Sequence, residues 1–570
     1  MLRTKSKKKS PWKTSSTISN LNKPVDIERG EMSGSGSADA LLALAIFFAG
    51  TAFYGLLHTQ QYLAVDGAVR CVNVYWNSYR IAGDNNHLLY YANVTLWRDF
   101  LSQFGIEATD PFNFVHLTEW MNALAAAGSV SIFWLLCKRA TGRIAIASAA
   151  AAAYAFSNAF LLHATSTAEP MVGLLWSFVS VGLAAWGLSA RSYLLLFAGG
   201  AFLLLAMATY ESMVLIGPAE LALIWGWKDG NEAGKRLVWF LAGCIVGGLL
   251  AYVPIYYLSG TTNPLYMWRR FAAMGGGDRV YGRVTIAKIV NLPFGFASGI
   301  FGALPLDYGG IRSLRTESVD TILIAVGAVL ISILWFSWTV IRSVYARALL
   351  SPNQRLFLSC CLVALIFDAL ALIYWDPLYD KLWLQPLAAV ILGWSVIFTG
   401  WRTLHRQWKV LIPEAFAALV IVTAGFARAV DAHSEPTPCL DAAHQLSTIV
   451  DSSDLLVTSW DPISLLYSSF LRNRATTFDL PAVAVAAGPL TTKLLVNFFA
   501  PVRQGGHSVF FLGILDVPET TWKTFLEDKC GLPYHSIDDL RKCAKPVATL
   551  TCENRSKVLW ELPAVCSGGK

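Results

Sequence analysis

Between Ala40 and Phe426 the chain repeats one pattern, a long apolar run closed by a short polar loop, about eleven times over. The runs are Ala40–Val65, Trp120–Cys137, Ile144–Ala164, Pro170–Leu188, Tyr193–Thr209, Ser212–Trp227, Leu237–Gly260, Ile322–Ile341, Leu356–Trp375, Leu382–Trp401 and Val410–Phe426. Only Glu220, Asp368 and Glu414 place a formal charge inside them. A helix rises roughly 1.5 Å per residue, so about twenty such residues cross the hydrocarbon core of a bilayer. A soluble chain of 570 residues would carry more than 15% charged residues and fewer than 55% hydrophobic ones. A polytopic α-helical membrane protein is therefore expected, with a transmembrane domain over residues 38–429.

The loops sort by charge. Lys138-Arg139 with Arg143, Arg191, Lys228 with Lys235-Arg236, Arg342 through Arg355, and Arg402 with Arg406 and Lys409 alternate with loops that lack such clusters. They share a side with the basic N-terminus, whose Arg3, Lys5, Lys7, Lys8, Lys9 and Lys13 supply much of the net charge of +7. Positive loops stay in the cytoplasm, so the N-terminus reads as cytoplasmic and an odd number of crossings puts the C-terminal region outside. The Ser- and Lys-rich stretch 1–37 reads as a disordered tail touching anionic lipid, which accounts for the charge without nucleic acid. The first apolar run starts too late and is too long for a cleaved signal peptide, so it is expected to remain as a span.

The opposite loops carry Asp66 and Asp84, Glu169, Glu211, and Asp376 with Asp380-Lys381. Two of them are long, 66–116 and 261–320. The second contains Ile286–Leu304, apolar yet interrupted by Lys288, Pro293 and glycines. A full crossing there would move the Arg342–Arg355 loop outside, so a re-entrant or interfacial segment is expected. Arg269, Arg270, Arg279 and Arg283, among Tyr266, Trp268 and Tyr281, suit a headgroup layer.

Residues 430–570 change character. Leu455–Thr458 and Ser508–Leu512 read as buried strands, while Pro462–Arg472, Thr491–Phe499 and Thr520–Asp528 read as amphipathic helices. A small extracytoplasmic α/β domain with a partly parallel sheet is expected, without nucleotide fingerprint or metal-spaced cysteines and histidines. Of the ten cysteines, Cys71, Cys439, Cys530, Cys543, Cys552 and Cys566 lie in polar regions, where some would pair in an oxidising compartment.

The chemistry-bearing residues concentrate where the first span ends. Asp66 follows the apolar run at once, and Asp84 and His87 stand in the same loop, ahead of Leu88-Leu89-Tyr90-Tyr91 and Trp97. A carboxylate at the membrane surface meets both a lipid-borne substrate and water. It could take a proton from an attacking hydroxyl, or the acids and histidine could hold a divalent ion, the only cofactor this loop suggests. For any one such acid the plain alternative is a residue that merely marks the end of a span.

The layout resembles the GT-C superfamily of integral-membrane glycosyltransferases, which use polyprenyl-phosphate-linked sugars. The features that carry the resemblance are the basic N-terminus, one span, and a long outer loop opening with Asp66 and continuing with Asp84 and His87. Glu169-Pro170 then opens a later span, Tyr210-Glu211 separates two more, and Asp380-Lys381-Leu-Trp-Leu-Gln-Pro386 opens the tenth. An outer soluble domain ends the chain. Protein O-mannosyltransferases and lipid A aminoarabinose transferases are families of this type. The resemblance implies that Asp66 is the catalytic base and that Lys381 contacts the donor phosphate. The sequence departs from the family in having Gly67 rather than a second acid after Asp66, and His87-Leu-Leu-Tyr where some members have His-Pro-Pro-Leu.

The expected function is an inverting glycosyltransferase, metal-independent or weakly metal-dependent, on the outer face of a bacterial inner membrane. It would move a sugar from a polyprenyl-phosphate donor to a lipid, glycan or protein acceptor. Asp66, Asp84 and His87 are the expected catalytic residues. Glu169, Tyr210, Glu211, Arg269, Arg270, Arg279, Arg283 and Lys381 are the expected substrate-binding ones, with headgroup anchoring as the alternative for the arginines and a solvated loop acid as the alternative for Glu169 and Glu211. The rival class is a transporter or flippase of a lipid-linked sugar, which Asp368 inside the ninth span best supports.

Overall fold

The computed structural model describes residues 32–59, 67–76, 88–227, 232–259, 284–302, 319–346, 349–404, 412–434, 437, 439–459, 461–472, 476–480, 492–527, 532–552 and 555–563. Asp66, Asp84, His87, Arg269, Arg270, Arg279 and Arg283 lie outside these residues, as do residues 1–31.

The first half runs α1 (Met32–Leu56), α2 (Gly67–Tyr75), α3 (Leu88–Gln103), α4 (Pro111–Thr141), α5 (Ile144–Ala155), α6 (Asn158–Ala164), α7 (Glu169–Ala190), α8 (Tyr193–Thr209), α9 (Gly217–Gly226) and α10 (Ala233–Ser259). It continues with α11 (Ile286–Phe301), α12 (Val319–Ala346), α13 (Pro352–Tyr374), α14 (Leu384–Leu404) and α15 (Ile412–Ser434). Eight of the described helices are long and apolar enough to cross a bilayer, or nine if the bent pair α5 and α6 forms one span. That pair bends by 68°, so the run Ile144–Ala164 is not one straight rod. Ser157 stands at the break, its hydroxyl donating to the Tyr154 carbonyl at 2.7 Å. The run Ser212–Trp227 opens as a 3₁₀ turn, Glu211–Ile216, before α9 begins at Gly217-Pro218, where proline fits a first helical turn. The stretch expected to be re-entrant or interfacial contains the sixteen-residue helix α11, which carries Pro293 inside it.

Contacts sort the helix ends into two groups. At one end Lys138 of α4 pairs with Asp39 of α1 at 3.5 Å, and Arg139 lies over Trp227. Arg342 there lies between Trp338 and Trp401, 4.7 and 5.2 Å from the ring centroids. This is the basic end that the loop charges mark. The opposite end holds the exits of α1 and α15 and the starts of α4, α7 and α14.

Close approach of backbones joins α8 to α10. A Cβ at Gly200 would overlap the Phe240 carbonyl oxygen, and one at Gly243 would overlap that of Phe197. Helices in lipid gain their contact through small residues of this kind, because apolar side chains alone have no preference for protein over lipid tails.

The C-terminal part contains α16 (Leu440–Ile449), β1 (Leu455–Thr458), α17 (Pro462–Leu471), β2 (Thr476–Asp479), α18 (Thr492–Gln504), β3 (Val509–Leu512), β4 (Lys545–Cys552) and β5 (Arg555–Leu562). The sheet order is β2-β1-β3-β5-β4, with β1 parallel to β2 and β3, and β5 antiparallel to β3 and β4. The mixed sheet matches the expected partly parallel one. β1 and β3 are buried along their whole length, as strands covered on both faces must be. One face packs Val457, Phe511 and Leu562 against Phe499 and Trp522. The other joins Leu456, Phe510 and Leu559 to the core that runs on into α2, α4 and α7. Phe112 meets Phe470 of α17 with ring centroids 4.8 Å apart, and Trp76 Nε1 donates to the Ser469 carbonyl at 3.0 Å.

Cys439 and Cys552 form a disulfide, and Cys543 is disulfide-bonded as well. Cys71 of the first loop is instead a free, buried thiol.

Gly243→Val places its branched side chain where only backbone can yield, so a loss of about 1–3 kcal/mol or more is expected. A thermal-unfolding scan in detergent checks this, with Gly248→Ala as a control that meets nothing closer than 3.9 Å.

Candidate active site

The centre of the opposite end is a short stretch of irregular backbone, Thr165–Ala168, between the bent pair and α7. All four residues are buried. Non-helical backbone inside a membrane protein persists only where its polar groups find partners. Here each of the four carbonyls accepts a hydrogen bond from another element. Thr59 N, just past α1, donates to the Thr165 oxygen at 2.8 Å. Asn122 Nδ2 of α4 donates to Ser166 and Ala168 at 2.7 and 2.8 Å. Tyr90 of α3 donates its hydroxyl to the Thr167 oxygen at 3.1 Å.

The first loop docks on this stretch. Gly67, the residue bonded to Asp66, opens α2, and a Cβ there would overlap the Thr167 carbonyl oxygen. This explains the departure noted in the sequence, because a second acid at position 67 has no room. One turn on, Arg70 forms an ion pair with Glu169, and both side chains are withdrawn from water. The alternative of Glu169 as a solvated loop acid therefore does not hold. A buried carboxylate needs a cation, and α2 supplies it. Cys71 lies beside the Tyr90 hydroxyl at 3.7 Å. Burial pushes the Cys71 thiol up to about 12 and holds the Tyr90 phenol well above its ordinary range.

The Lys381 turn docks on α6, the helix that leads into this stretch. Lys381 stands in the 3₁₀ turn Asp380–Trp383, which Trp383 Nε1 closes by donating to the Pro377 carbonyl at 2.7 Å. Its side chain is only 8% exposed. The ammonium sits 4.5 Å from the Tyr379 ring centroid and 5.6 Å from that of Tyr210, within cation–π range. His163 Nε2, two residues before Thr165, lies 3.6 Å from the Asp380 carboxylate. Tyr210 packs beside Gly173, one helical turn into α7 from Glu169, which leaves Glu211 to open the following 3₁₀ turn.

Two cavities share a wall near Lys381. The small one is lined by Asp368, Lys381, Ser212, Met213 and Gln385. The larger, almost wholly apolar one is lined by Phe133, Phe178, Leu223, Ala389 and again Gln385. Gln385, whose amide donates to Ser177 Oγ and the Met213 carbonyl at 3.0 Å each, forms part of both walls. Asp368 is therefore a neighbour of Lys381 rather than an isolated mid-span acid.

The structure thus brings Lys381 together with Tyr210, which packs on the helix that Glu169 opens, and adds Arg70, His163, Asp380 and Gln385, which sequence reasoning did not select. Asp380 and Gln385 flank Lys381 in sequence and were readable from that motif; Arg70 and His163 carry no local signal. A separate cluster of possible metal ligands, His58, His116 and Glu119, has its ligating atoms within 4.8 Å of one another. The spacing His116-x-x-Glu119 on one helix was the available sign.

No protein-family model matches the chain, and no curated protein matches it. Among solved structures, it is similar to a crystal structure of ArnT from Cupriavidus metallidurans bound to undecaprenyl phosphate. The TM-score is 0.42 at 14% identity, over 94% of this chain and 100% of that one. It is also similar to ArnT from the same organism in the apo state, with a TM-score of 0.37 at 12% identity over 94% of this chain and 99% of that one. Scores this low carry no argument about what the chain does.

Breaking the buried pair by Glu169→Gln or Arg70→Met is expected to cost about 3–5 kcal/mol, because each leaves an uncompensated charge. Replacing both residues by apolar ones should recover much of that loss in the same unfolding measurement. Cys71 should resist alkylation in the folded protein near neutral pH and react only on unfolding. Its folded pKa is raised, so its stabilising share is fully present below the ordinary thiol value of 9.0 and is lost as pH rises towards 12. A maleimide time course with and without denaturant checks the first point.

Proposed function

We propose that the chain is a GT-C-type glycosyltransferase that moves a sugar from a polyprenyl-phosphate carrier to an acceptor on the extracytoplasmic face. The reading is carried by one observation. The segment from His163 to Thr167 touches the Asp380-Lys381 turn at one end and the residue bonded to Asp66 at the other. Four residue steps span at most about 14 Å even when fully extended. This closeness of the Lys381 turn to Gly67 supports the reading that a base at position 66 and the Lys381 cation serve one site.

In this reading the Asp66 carboxylate removes the proton from the acceptor hydroxyl as that oxygen bonds to the anomeric carbon. The bond from that carbon to the phosphate oxygen breaks, and the polyprenyl phosphate leaves with the electron pair. Lys381 meets the charge that grows on the departing phosphate, in a place where burial strengthens the attraction. Tyr210 and Tyr379 hold the ammonium in position, and Asp380 sits beside it. Asp84 and His87 are proposed to assist the base. Arg269, Arg270, Arg279 and Arg283 are proposed to hold the carrier's headgroup, and Glu211 to orient the sugar. The apolar cavity reached past Gln385 is proposed to take the first isoprene units of the carrier. The basic end is proposed to face the cytoplasm and the 430–570 region to lie outside as a domain of its own.

A transporter of a lipid-linked sugar is the second reading, favoured by Asp368 in the cavity wall. Purified protein in detergent, given a labelled polyprenyl-phosphate sugar and an acceptor extract, separates the two. Transfer or release of sugar without vesicles is expected, whereas uptake seen only in sealed vesicles would establish the transporter. Asp66→Asn should lower turnover by roughly 10²–10⁴-fold with normal membrane insertion. Lys381→Met should impair use of the donor more than of the acceptor, and the reverse kinetic pattern would remove its assigned role.

A further inference from the structure

We infer that the junction of the first, second and last spans is a binding site for a zinc-class divalent metal, formed by His58, His116 and Glu119 with His433 beside them. His58 stands just past the end of α1, His116 and Glu119 lie in the first turns of α4, and His433 lies in the last turn of α15. The ligating atoms of the first three already lie within 4.8 Å of one another. Tetrahedral zinc with nitrogen and oxygen ligands needs separations of about 3.4 Å, which small side-chain rotations would reach.

Hydrogen bonds select the ring form that a metal requires. His58 Nδ1 lies 3.0 Å from the Gly55 carbonyl and His433 Nδ1 lies 2.7 Å from the His58 carbonyl. A carbonyl only accepts, so both Nδ1 atoms carry the proton and each neutral ring keeps its lone pair on Nε2. Metal-binding histidines are oriented in this way, through a proton given by the second ring nitrogen to a backbone oxygen or carboxylate. His116 Nδ1 meets Glu119 Oε2 at 2.8 Å. The His58 ring centroid is 4.8 Å from that of His116 and 5.4 Å from that of His433.

The burial of Glu119 supplies the electrostatic reason. Its side chain is 3% exposed, and the groups that face its carboxylate are the imidazoles of His116, His58 and His433. A buried carboxylate among several imidazoles needs a positive charge, which either a proton or a metal can provide. The convergence of three imidazoles on one carboxylate, two of them locked in the metal-binding tautomer, is more than a single proton needs. Two imidazoles, a carboxylate and an open position make a common zinc ligand set, with the fourth place taken by His433 or water.

The ion would tie together the ends of elements far apart in sequence. Thr59 already links them, its amide donating to Thr165 and its hydroxyl to the Ala432 carbonyl at 3.3 Å. The stretch 60–66, which ends in Asp66, starts next to this point. The metal's role is to hold that start in place, and the site stands whether or not the chain is a glycosyltransferase.

The test uses the full-length protein, purified in detergent through a tag that binds no metal. Elemental analysis should find about one zinc per chain, removed by a chelator and restored by added zinc. Cobalt(II) added to the stripped protein should give the ligand-field absorption of a tetrahedral site. His58→Gln and Glu119→Gln should each weaken zinc binding by roughly 10–100-fold. His433→Gln is a milder third variant should either of those fail to fold. Wild-type protein that elutes as a single folded species, yet holds no zinc and gives no cobalt spectrum, overturns the proposal. So does zinc bound equally well by all the folded variants, which would place it elsewhere.

Discussion

The buried Arg70–Glu169 pair and the backbone it stands beside are the constraint on which the opposite end of the bundle depends. Four carbonyls out of helical register, and a carboxylate at the next residue, would be costly in a low-dielectric interior. They are met by donors from four elements: the exit of the first span, the second span, whose Asn122 serves two carbonyls, and the two helices of the first loop. The first loop is therefore held at its base by demands that it alone satisfies. Removing one donor leaves a specific oxygen unmet, so the arrangement resists gradual loosening.

The same constraint places the chemistry. Lys381 does not hang from a loop into water; it lies beneath two aromatic rings on a turn anchored to α6 and α11. Gly295 of α11 packs so tightly on the Pro377 carbonyl that no side chain fits there. Lys288 from the same helix caps the C-terminal end of α13, donating to the Tyr374 and Trp375 carbonyls at 2.8 and 2.6 Å. A cation where the last carbonyls of a helix point outward is favoured both by hydrogen bonding and by the helix dipole. Helix α11 thus acts as a brace for the Lys381 turn.

Much of the architecture was legible because a span announces itself by what it lacks. Runs free of charge mark nearly every helix of the bundle, and basic loops mark one end of it. The 68° bend between α5 and α6 was not legible, since nothing in Tyr154-Ala-Phe-Ser-Asn158 demands a break in the way a proline would. The alternating pattern after residue 430 announced the mixed sheet. At the site, Lys381 stood out by its motif, and Glu169 by its place before a proline at the start of a span. That Glu169 would face an arginine instead of water depends on how α2 folds back, which no local signal records. The histidine cluster shows the limit most clearly: His116 and Glu119 share a helix, but His58 and His433 meet only because the first and last spans end side by side.

Cys439 lies shortly after the last span, and Cys552 ends strand β4 at the edge of the sheet. Their bond closes a covalent ring across 113 positions of sequence. An edge strand is the part of a sheet with fewest neighbours and is the first to peel away. Fastening it to the stem where the polypeptide leaves the bilayer turns the weakest margin of the sheet into a second tether. The C-terminal unit is consequently held covalently at two points of the chain, in addition to the packing of its sheet and α17 on the helices of the first loop and α4.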